Sequence, residues 1–207
     1  MNAPPGDIKK GRKYQQVLDG ARQVFMADGY EGAGVDDIAA AANVSKATLY
    51  SYFPDKATLF MEVASIECRR QADAAVANID TTQPAKTVLT LAAGHLVAFS
   101  MSNFGVSIYR ISVAEAVRFP ELARQFYETG PLLGQDILQA YLAEATARGE
   151  LKIAEKDLSL AAAQFMELCR ALIFSRRLFL VQQEFSEAEK RQVIDGAVET
   201  FLARFGA

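Results

Sequence analysis

A run of hydroxyl, small and basic side chains between residues 45 and 52 carries the most informative chemistry in this sequence. On a helical wheel Leu49 and Phe53 fall on one side, and the opposite side carries Lys46, Ala47, Thr48, Tyr50 and Ser51. Hydroxyl and ammonium groups can bind phosphate oxygens and base edges, and a methyl group can contact thymine. Ser45 is a typical N-cap residue for the helix that follows. The pattern predicts a helix that lies in the major groove of DNA.

Catalytic or metal chemistry has little support in this composition. His95 is the single histidine, so one chain cannot assemble a Ser-His-Asp triad or a site with several histidine ligands. Cys68 and Cys169 are far apart and match no metal-binding or redox spacing. The composition therefore argues against a helical enzyme, and we expect no metal and no cofactor.

Two short helices joined by a tight turn are needed to present the polar face. The pattern predicts them at about 35–42 and 46–52. Ala39 is small enough for the helices to cross closely, and Asn43 tolerates the positive φ that such a turn requires. The sequence therefore predicts a helix-turn-helix over residues 35–53. Apolar contacts between its helices are expected from Ile38, Val44 and Leu49.

The rest of the sequence is also patterned for helices. Hydrophobic residues make up 51% of the chain and charged residues 23%, and there are only six prolines, which suits a globular protein with long helices. Apolar residues recur at helical spacing, and no alternating strand pattern is found. We predict an all-α fold of about nine helices. Beyond the helix-turn-helix they lie near 14–28, 56–78, 84–101, 105–118, 121–148 (kinked or split at Gly130-Pro131), 157–182 and 187–205.

A polar break at residues 81–84 predicts a division of the chain into two domains, because Pro84 suits the first turn of a new helix. Residues 1–56 would form an N-terminal three-helix domain that binds DNA. The helix at 56–78 would connect it to a second helical domain at 79–207.

Charge supports DNA binding only locally, since the net charge of the whole chain is −3. A basic cluster near the N-terminus faces one acidic residue, Asp7, and consists of Lys9, Lys10, Arg12 and Lys13. A basic arm beside phosphates and a solvated terminus explain this cluster equally well.

Two isolated thiols and the lack of an apolar leader or a bilayer-length apolar stretch predict a cytoplasmic protein with no membrane partner.

Four sequence blocks in the N-terminal region resemble the TetR family of bacterial regulators. They are F-M-A-D-G-Y at 25–30, V-D-D-I-A at 35–39, V-S-K-A-T-L-Y-S-Y-F at 44–53 and K-A-T-L-F at 56–60. The stretch from Arg110 to Gly149, with E-A-V-R-F-P-E-L-A followed by F-Y-E-T-G-P, is similar to the C-terminal domain of the AefR-like branch.

The resemblance implies which residues contact DNA. Lys46, Ala47, Thr48, Tyr50 and Tyr52 would touch bases or phosphates, and Ser45 and Lys56 would lie at helix N-termini beside phosphates. The expected DNA-binding set is completed by Ser51 and Lys13. Two positions depart from the family pattern: Gly34, where Thr or Ser is common, offers no hydroxyl to a phosphate, and Ala47 replaces a frequent Gly. Both departures bear on the operator sequence and not on DNA binding itself.

An effector cavity could lie between the C-terminal helices, lined by aromatic, sulfur-containing and polar side chains. For each of them a place in the plain core is an equally good interpretation, and Cys169 in particular suits packing. His95 fits a hydrogen-bonded core position as well as a ligand contact. Arg110 and Glu115 fit an internal salt bridge as well as an effector contact. The candidates are His95, Phe99, Phe104, Tyr109, Arg110, Phe126, Tyr127, Phe165, Met166 and Cys169.

The resemblance also implies a homodimer that represses transcription. Its seam would be a four-helix arrangement of the last two helices, near 157–182 and 187–205, from each subunit. The apolar seam candidates are Leu168, Leu172, Phe179, Ile194, Phe201 and Phe205. Two recognition helices would then read a pseudo-palindromic operator. Binding of a small apolar or amphipathic effector would cause the dimer to leave the operator. The alternative is a helix-turn-helix protein that is gated by a protein partner and has no small-molecule site.

Overall fold

The computed structural model describes residues 11–207, and it confirms an all-α fold within that range. It contains eleven α-helices and no β-strand, with one isolated bridge between Leu151 and Gly206. The helices are α1 (Arg12–Gly32), α2 (Val35–Ala41), α3 (Lys46–Tyr52), α4 (Lys56–Asn78), α5 (Ala85–Met101), α6 (Asn103–Glu115), α7 (Pro120–Tyr127), α8 (Leu133–Ala147), α9 (Leu158–Leu168), α10 (Ile173–Leu178) and α11 (Glu187–Phe205).

Two of the nine predicted helices are divided in the structure. A π-helical segment, Glu128–Leu132, joins α7 to α8. It contains the predicted break at Gly130-Pro131, where the regular helix is interrupted because Pro131 has no N–H to donate. The prediction of one helix over 157–182 is wrong. That stretch forms α9 and α10, and Leu172 between them has a φ of 68°. No Gly or Pro marks this break in the sequence.

The chain forms two compact units. The first unit comprises the residues up to Glu67 together with 107–126, and the second comprises 68–106 together with 127–207. Helices α4 and α6 therefore contribute residues to both units. The functional division into 1–56 and 79–207 stays a prediction, since compactness alone does not assign a role to either part.

The first unit is built on a close approach between α1 and the end of α2. A Cβ atom at Gly20 would lie 2.7 Å from both the Cα and the Cβ of Ala42. Only glycine fits there, because carbon atoms do not approach to that distance without displacing the backbone. An ion pair also links α1 to α4, where the Arg22 Nε lies 2.8 Å from an oxygen of the fully buried Glu67.

The second unit has a core made by α5, α8, α9 and α11. Phe165 and Phe201 are both nearly fully buried, and their rings meet edge to face at 5.1 Å. The start of α5 is held by Glu150, which accepts a hydrogen bond of 2.6 Å from the Ala85 N–H. This carboxylate satisfies one of the amides that a helix N-terminus leaves without an intrahelical partner. Its hydrogen bonds to the Arg148 guanidinium and the Ala85 amide lower the pKa of Glu150.

We expect Gly20→Ala to destabilise the first unit by about 1–3 kcal/mol, the usual cost of overpacking a tight contact. The added methyl group would meet the Ala42 backbone, and the helix-turn-helix would have to move away from α1. Chemical denaturation followed by circular dichroism measures the effect. Gly94→Ala is the matched control, because a Cβ there meets nothing within 4 Å. An unchanged midpoint for Gly20→Ala would contradict the close approach.

Candidate nucleic-acid interface

The helix-turn-helix forms where the sequence predicts it, with α2 and α3 separated by a four-residue turn. Asn43 has a φ of 52°, which confirms the left-handed conformation expected of it. The N–H of Val44 donates to the Ala39 carbonyl at 3.0 Å and closes the turn. Ile38 and Leu49 are fully buried, so both helices are fixed to the core of the first unit.

Ser45 is the N-cap of α3, as predicted. Its side-chain oxygen accepts a hydrogen bond from the Thr48 N–H at 3.1 Å and lies 2.9 Å from the Thr48 hydroxyl. The Ser51 hydroxyl donates to the Thr48 carbonyl at 2.6 Å. The hydroxyl groups of this face are thus held in place before any nucleic acid arrives, which reduces the entropy lost on binding.

The outward face of α3 matches the helical-wheel expectation. Lys46, Ala47, Tyr50 and Ser51 are exposed, and Tyr50 keeps 47% of its surface accessible. Thr48 and Tyr52 are half-buried. This face therefore offers a phenol, hydroxyl groups, a methyl group and a cation to a groove.

Tyr52 is held by an aromatic cluster that the sequence analysis missed. The ring of Tyr14 lies edge-on to Tyr52 at 5.7 Å and stacks on Phe53 at 5.4 Å. The Tyr14 hydroxyl donates to Glu62 of α4 at 2.7 Å. Burial and the adjacent Glu62 carboxylate raise the pKa of Tyr14 well above its ordinary value. Tyr14 therefore positions the end of α3 against α4, and its place in the apolar stripe of α1 was the only sequence signal.

Lys46 has a partner within the protein. Its ammonium nitrogen lies 2.6 Å from the Asp36 carboxylate of α2, and both side chains are largely exposed. The hydrogen bond to Asp36 raises the pKa of Lys46. A phosphate would have to compete with this carboxylate, so the DNA contact expected of Lys46 would add less affinity than that of an unpaired lysine.

Lys56 also makes contacts that the sequence analysis did not anticipate. Its ammonium group donates to the carbonyls of Tyr30 at 2.8 Å and Ala33 at 3.1 Å, and it lies 4.4 Å from the centre of the Tyr30 ring. These contacts hold the loop between α1 and α2. The N-terminus of α4 is capped by Asp55, which accepts from the Thr58 N–H at 2.8 Å. The phosphate contact expected of Lys56 stays a prediction.

The basic cluster near the N-terminus is only partly within the described chain. Lys9 and Lys10 lie outside the described residues, whereas Arg12 and Lys13 are exposed at the start of α1. Gly34 is the N-cap of α2 in an extended conformation, with φ −76° and ψ 143°. As expected, it offers no side chain that could reach a phosphate.

The ten effector candidates are divided between the two compact units. Tyr109, Arg110 and Phe126 belong to the first unit, and the other seven belong to the second. Four of the ten are buried among other side chains, namely Phe104, Phe126, Phe165 and Cys169. Exposed positions are taken by His95, Tyr109 and Tyr127, while Phe99, Arg110 and Met166 are half-buried. An effector role for any of them stays a prediction.

The structure bears on the core positions that the sequence suggested for His95 and Cys169. The core position considered for His95 is wrong, because this side chain is exposed beside a surface recess of about 390 Å³ that Leu91, Arg191 and Ile194 also line. Cys169 is 1% exposed, and burial raises the pKa of its thiol to about 12. A thiol in that state is a poor nucleophile, which fits the packing interpretation of Cys169.

A larger open groove, of about 610 Å³, runs between α9 and α11. Leu160, Ala163, Leu168 and Ala171 of the α9 side line it, together with edges of Phe201 and Phe205. The place of Phe201 and Phe205 in a dimer seam stays a prediction. Both are more than 90% buried within their own subunit, so the apolar stripe of α11 faces the core.

The described part of the chain contains neither a metal-binding cluster nor a single membrane-spanning helix. No group of three or more His, Cys, Asp and Glu side chains could hold a metal ion there. No single helix in that range is long and apolar enough to cross a membrane, although α5 and α6 taken together as a bent pair reach the required length and apolarity.

Comparison with known families identifies both parts of the chain. Residues 17–63 match the family of bacterial regulatory proteins named for TetR. Residues 87–207 match the C-terminal domain of AefR-like transcriptional repressors, which covers more than half of the chain.

Individual proteins agree with this result. A TetR-family transcriptional regulator from Mesorhizobium loti is 28% identical, with a TM-score of 0.79 over 97% of this chain and 100% of that one. The flavonoid-responsive regulator FrrA is 32% identical, with a TM-score of 0.68 over 95% of this chain and 98% of that one. The transcriptional repressor AcnR of Corynebacterium glutamicum is 36% identical over 73 residues, which span 35% of this chain and 38% of AcnR.

Members of this family are DNA-binding transcriptional regulators and not enzymes. The helix-turn-helix geometry and the two family matches lead to one conclusion: this chain belongs to the TetR family of transcriptional regulators, with a C-terminal domain of the AefR-like type.

Proposed function

We propose that this regulator is a cytoplasmic homodimer that represses transcription by inserting two copies of α3 into successive major grooves of a pseudo-palindromic operator. The observation that carries the proposal is the exposed face of α3. Tyr50 and Lys46 point away from the buried Leu49, and Ser45 fixes the helix start. Two such helices read one operator when their centres are about 34–36 Å apart, or a multiple of that distance.

The dimer is proposed to form along the groove between α9 and α11. The groove is open and largely apolar, and Leu160 on its rim is 60% exposed. A second copy related by a two-fold axis would cover the same surface on both subunits. Gln164, Glu167, Thr200 and Arg204 add polar contacts at the edges of the groove.

A small apolar or amphipathic effector is proposed to release the operator. The similarity to FrrA, which is flavonoid-responsive, supports an aromatic ligand of this kind. Such a ligand acts only through different affinities for the DNA-binding and non-binding dimers. A 100-fold loss of operator affinity needs a 100-fold preference, which corresponds to about 2.7 kcal/mol of coupling free energy.

A second candidate function is a TetR-type regulator that a protein partner gates, without a small-molecule site. The distribution of the effector candidates favours it. Phe165 and Cys169 are packed in the core of the second unit, and only His95 among the ten lines either of the two recesses described above.

We expect Tyr50→Ala to weaken operator binding by about 5- to 100-fold, the usual cost of losing one good contact. Lys46→Ala should weaken it less, because the Asp36 carboxylate already neutralises part of the charge of Lys46. Loss of Tyr50 removes a contact in the groove and leaves the salt dependence unchanged. Loss of Lys46 removes a phosphate contact, so the slope of log affinity against log salt falls by about one per protomer. Fluorescence anisotropy with a duplex selected from a random-sequence pool measures both quantities.

Asp36→Asn is the matched control for Lys46. It frees the ammonium group and removes a negative charge beside the DNA, so binding should become tighter. Circular dichroism melting curves confirm that all three variants are folded. Isotherms for Tyr50→Ala and Lys46→Ala that overlay the wild type would reject α3 as the recognition helix.

Leu160→Asp is expected to yield a folded monomer. In the free subunit the side chain is 60% exposed, so the carboxylate is tolerated there, but a second copy would bury it without a partner. Sedimentation velocity measures the mass, and Leu91→Asp, at 45% exposure on α5, is the control that should stay dimeric. A Leu160→Asp protein that remains a dimer would show that this groove is not the seam.

Effector release is tested with chemically defined probes. We expect the flavonoid aglycone naringenin or a long-chain fatty acid to lower the operator affinity of the dimer and to raise its melting temperature, because a ligand that binds only the folded state stabilises it. Buffer with matched co-solvent is the control. If neither probe class changes the anisotropy or the melting curve, the partner-gated regulator becomes the better description.

A further inference from the structure

An exposed ion pair joins α2 to α3. The Lys46 ammonium nitrogen lies 2.6 Å from a carboxylate oxygen of Asp36, and the two side chains are 53% and 78% exposed. Pairs as exposed as this add little to stability, because water screens both charges. The two helices are already fixed by Ile38 and Leu49, which are fully buried. Fold stability alone therefore gives little reason for a carboxylate at this place.

The neighbouring residue Asp37 provides a contrast. Asp36 and Asp37 are both exposed in the first turn of α2, where a carboxylate suits the positive end of the helix dipole. The Asp37 carboxylate lies over the N-cap Gly34, where an added Cβ atom would meet one of its oxygens. Asp36 instead extends to Lys46, the first residue of α3. One carboxylate thus serves the start of its own helix, and the other is presented beside the helix that is proposed to enter the groove.

A carboxylate beside α3 is unfavourable for binding DNA in general. Every duplex carries phosphates, so this negative charge lowers the affinity for all sequences alike. Such a residue raises specificity when one base pair offers a contact that offsets the loss, because specificity is a difference between affinities. In the major groove a carboxylate can accept hydrogen bonds only from amino groups, which are N4 of cytosine and N6 of adenine. Asp36 therefore has two suitable partners among the bases.

Cytosine suits the Asp36 carboxylate better than adenine does. The amino group of adenine lies next to N7, an acceptor that would repel a carboxylate, whereas cytosine itself presents no acceptor in the major groove. The guanine of the same base pair presents O6, which accepts from the cytosine amino group at about 2.9 Å. The 2.6 Å between the Lys46 nitrogen and the Asp36 oxygen is close to that spacing. The carboxylate can therefore meet the amino group while the ammonium group faces O6.

We propose that Asp36 reads a cytosine in each half of the operator by accepting a hydrogen bond from its N4 amino group. The proposal rests on the role of α3 in operator binding put forward above. Lys46 is a positioning residue in it, since it holds the carboxylate in place and offsets its charge beside the phosphates. A carboxylate has two acceptor oxygens and an ammonium group three donors, so the ion pair leaves both groups able to bind DNA. Guanine and thymine present O6 and O4 to the carboxylate and are rejected.

Binding to duplexes that differ at one position tests this assignment. A duplex that the wild type selects from a random-sequence pool is the reference, and each position of its half-site is varied through all four bases. The wild type should prefer cytosine at one position by about 5- to 100-fold over guanine or thymine. Asp36→Ala should remove most of that preference, and it should bind the disfavoured duplexes more tightly than the wild type does. An Asp36→Ala protein that keeps every base preference overturns the proposal.

Three further variants separate base reading from a general effect of charge. Asp37→Ala is the matched control, because it removes a carboxylate from the same helical turn and leaves the ion pair with Lys46 in place. It should keep the cytosine preference, and an equal loss in Asp37→Ala overturns the proposal. Lys46→Ala should reduce the preference, because the carboxylate is no longer held. Asp36→Asn should move the preference toward adenine, to which an amide can both donate at N7 and accept from N6. An unchanged ranking of the four bases in Asp36→Asn contradicts the assignment.

Modified cytosines identify the atom that is read. N4-methylcytosine at the preferred position keeps its base pair but lacks the amino hydrogen that faces the major groove. It should weaken binding of the wild type and leave binding of Asp36→Ala unchanged. 5-Methylcytosine is the control for added bulk, because it keeps the amino group. Equal weakening of the wild type and of Asp36→Ala by N4-methylcytosine overturns the proposal, since the methyl group would then act without Asp36.

The outcomes separate this proposal from the one on which it rests. If Tyr50→Ala weakens operator binding but Asp36→Ala keeps every base preference, α3 remains the recognition helix and the proposal for Asp36 fails. If Tyr50→Ala and Lys46→Ala bind as the wild type does while Asp36→Ala loses the cytosine preference, the cytosine contact stands and the role of α3 is wrong. A protein that selects no duplex from the pool overturns both.

Discussion

The first unit of this protein depends on one steric constraint, the approach of α1 to the residue that ends α2. Gly20 leaves no side chain between the two, so the backbone of α1 contacts Ala42 directly. The turn at Asn43 and the start of α3 follow within four residues, so the contact at Ala42 fixes their direction. Ile38 and Leu49 then lock both short helices onto the core. Helices of seven residues are not stable alone, and here packing supplies the stability that their length cannot.

Polar contacts add to the packing that orients α2 and α3. Lys56 holds the loop before α2, and Tyr14 connects the end of α3 to Glu62 on α4. Both side chains keep α3 in a defined orientation, so a recognition role for this helix would need few base contacts. The electrostatic contribution of Lys46 to DNA binding is expected to be modest, because the Asp36 carboxylate lies 2.6 Å from its ammonium nitrogen. Specificity is then expected to come from shape and hydrogen bonding more than from bulk positive charge.

Local features such as caps and turns could be predicted from the sequence, but the side of each helix that faces the core could not. Ser45, Asn43 and the bounds of α2 and α3 were predictable because capping and turn conformations depend on near neighbours. The exposure of His95 and the burial of Phe201 were not, because each helix has apolar residues on more than one side and only tertiary packing decides which side faces the core. The break at Leu172 was missed for a related reason, since a leucine with positive φ leaves no signal in composition. Gly20 could have been suspected only as a glycine within a helical pattern.

The first unit is discontinuous in sequence, and this has a consequence for modularity. It is completed by residues 107–126, which return to it after the chain has built the first part of the second unit. Ser112 contacts Met61, Arg118 lies 3.4 Å from Asp55, and Gln125 donates to Glu62. A fragment that ends after α4 would lose all three contacts. Chimeras that exchange DNA-binding specificity between relatives by a single crossover near residue 80 would therefore join α4 to a foreign α6 and α7, and the recombined surface would need its own optimisation.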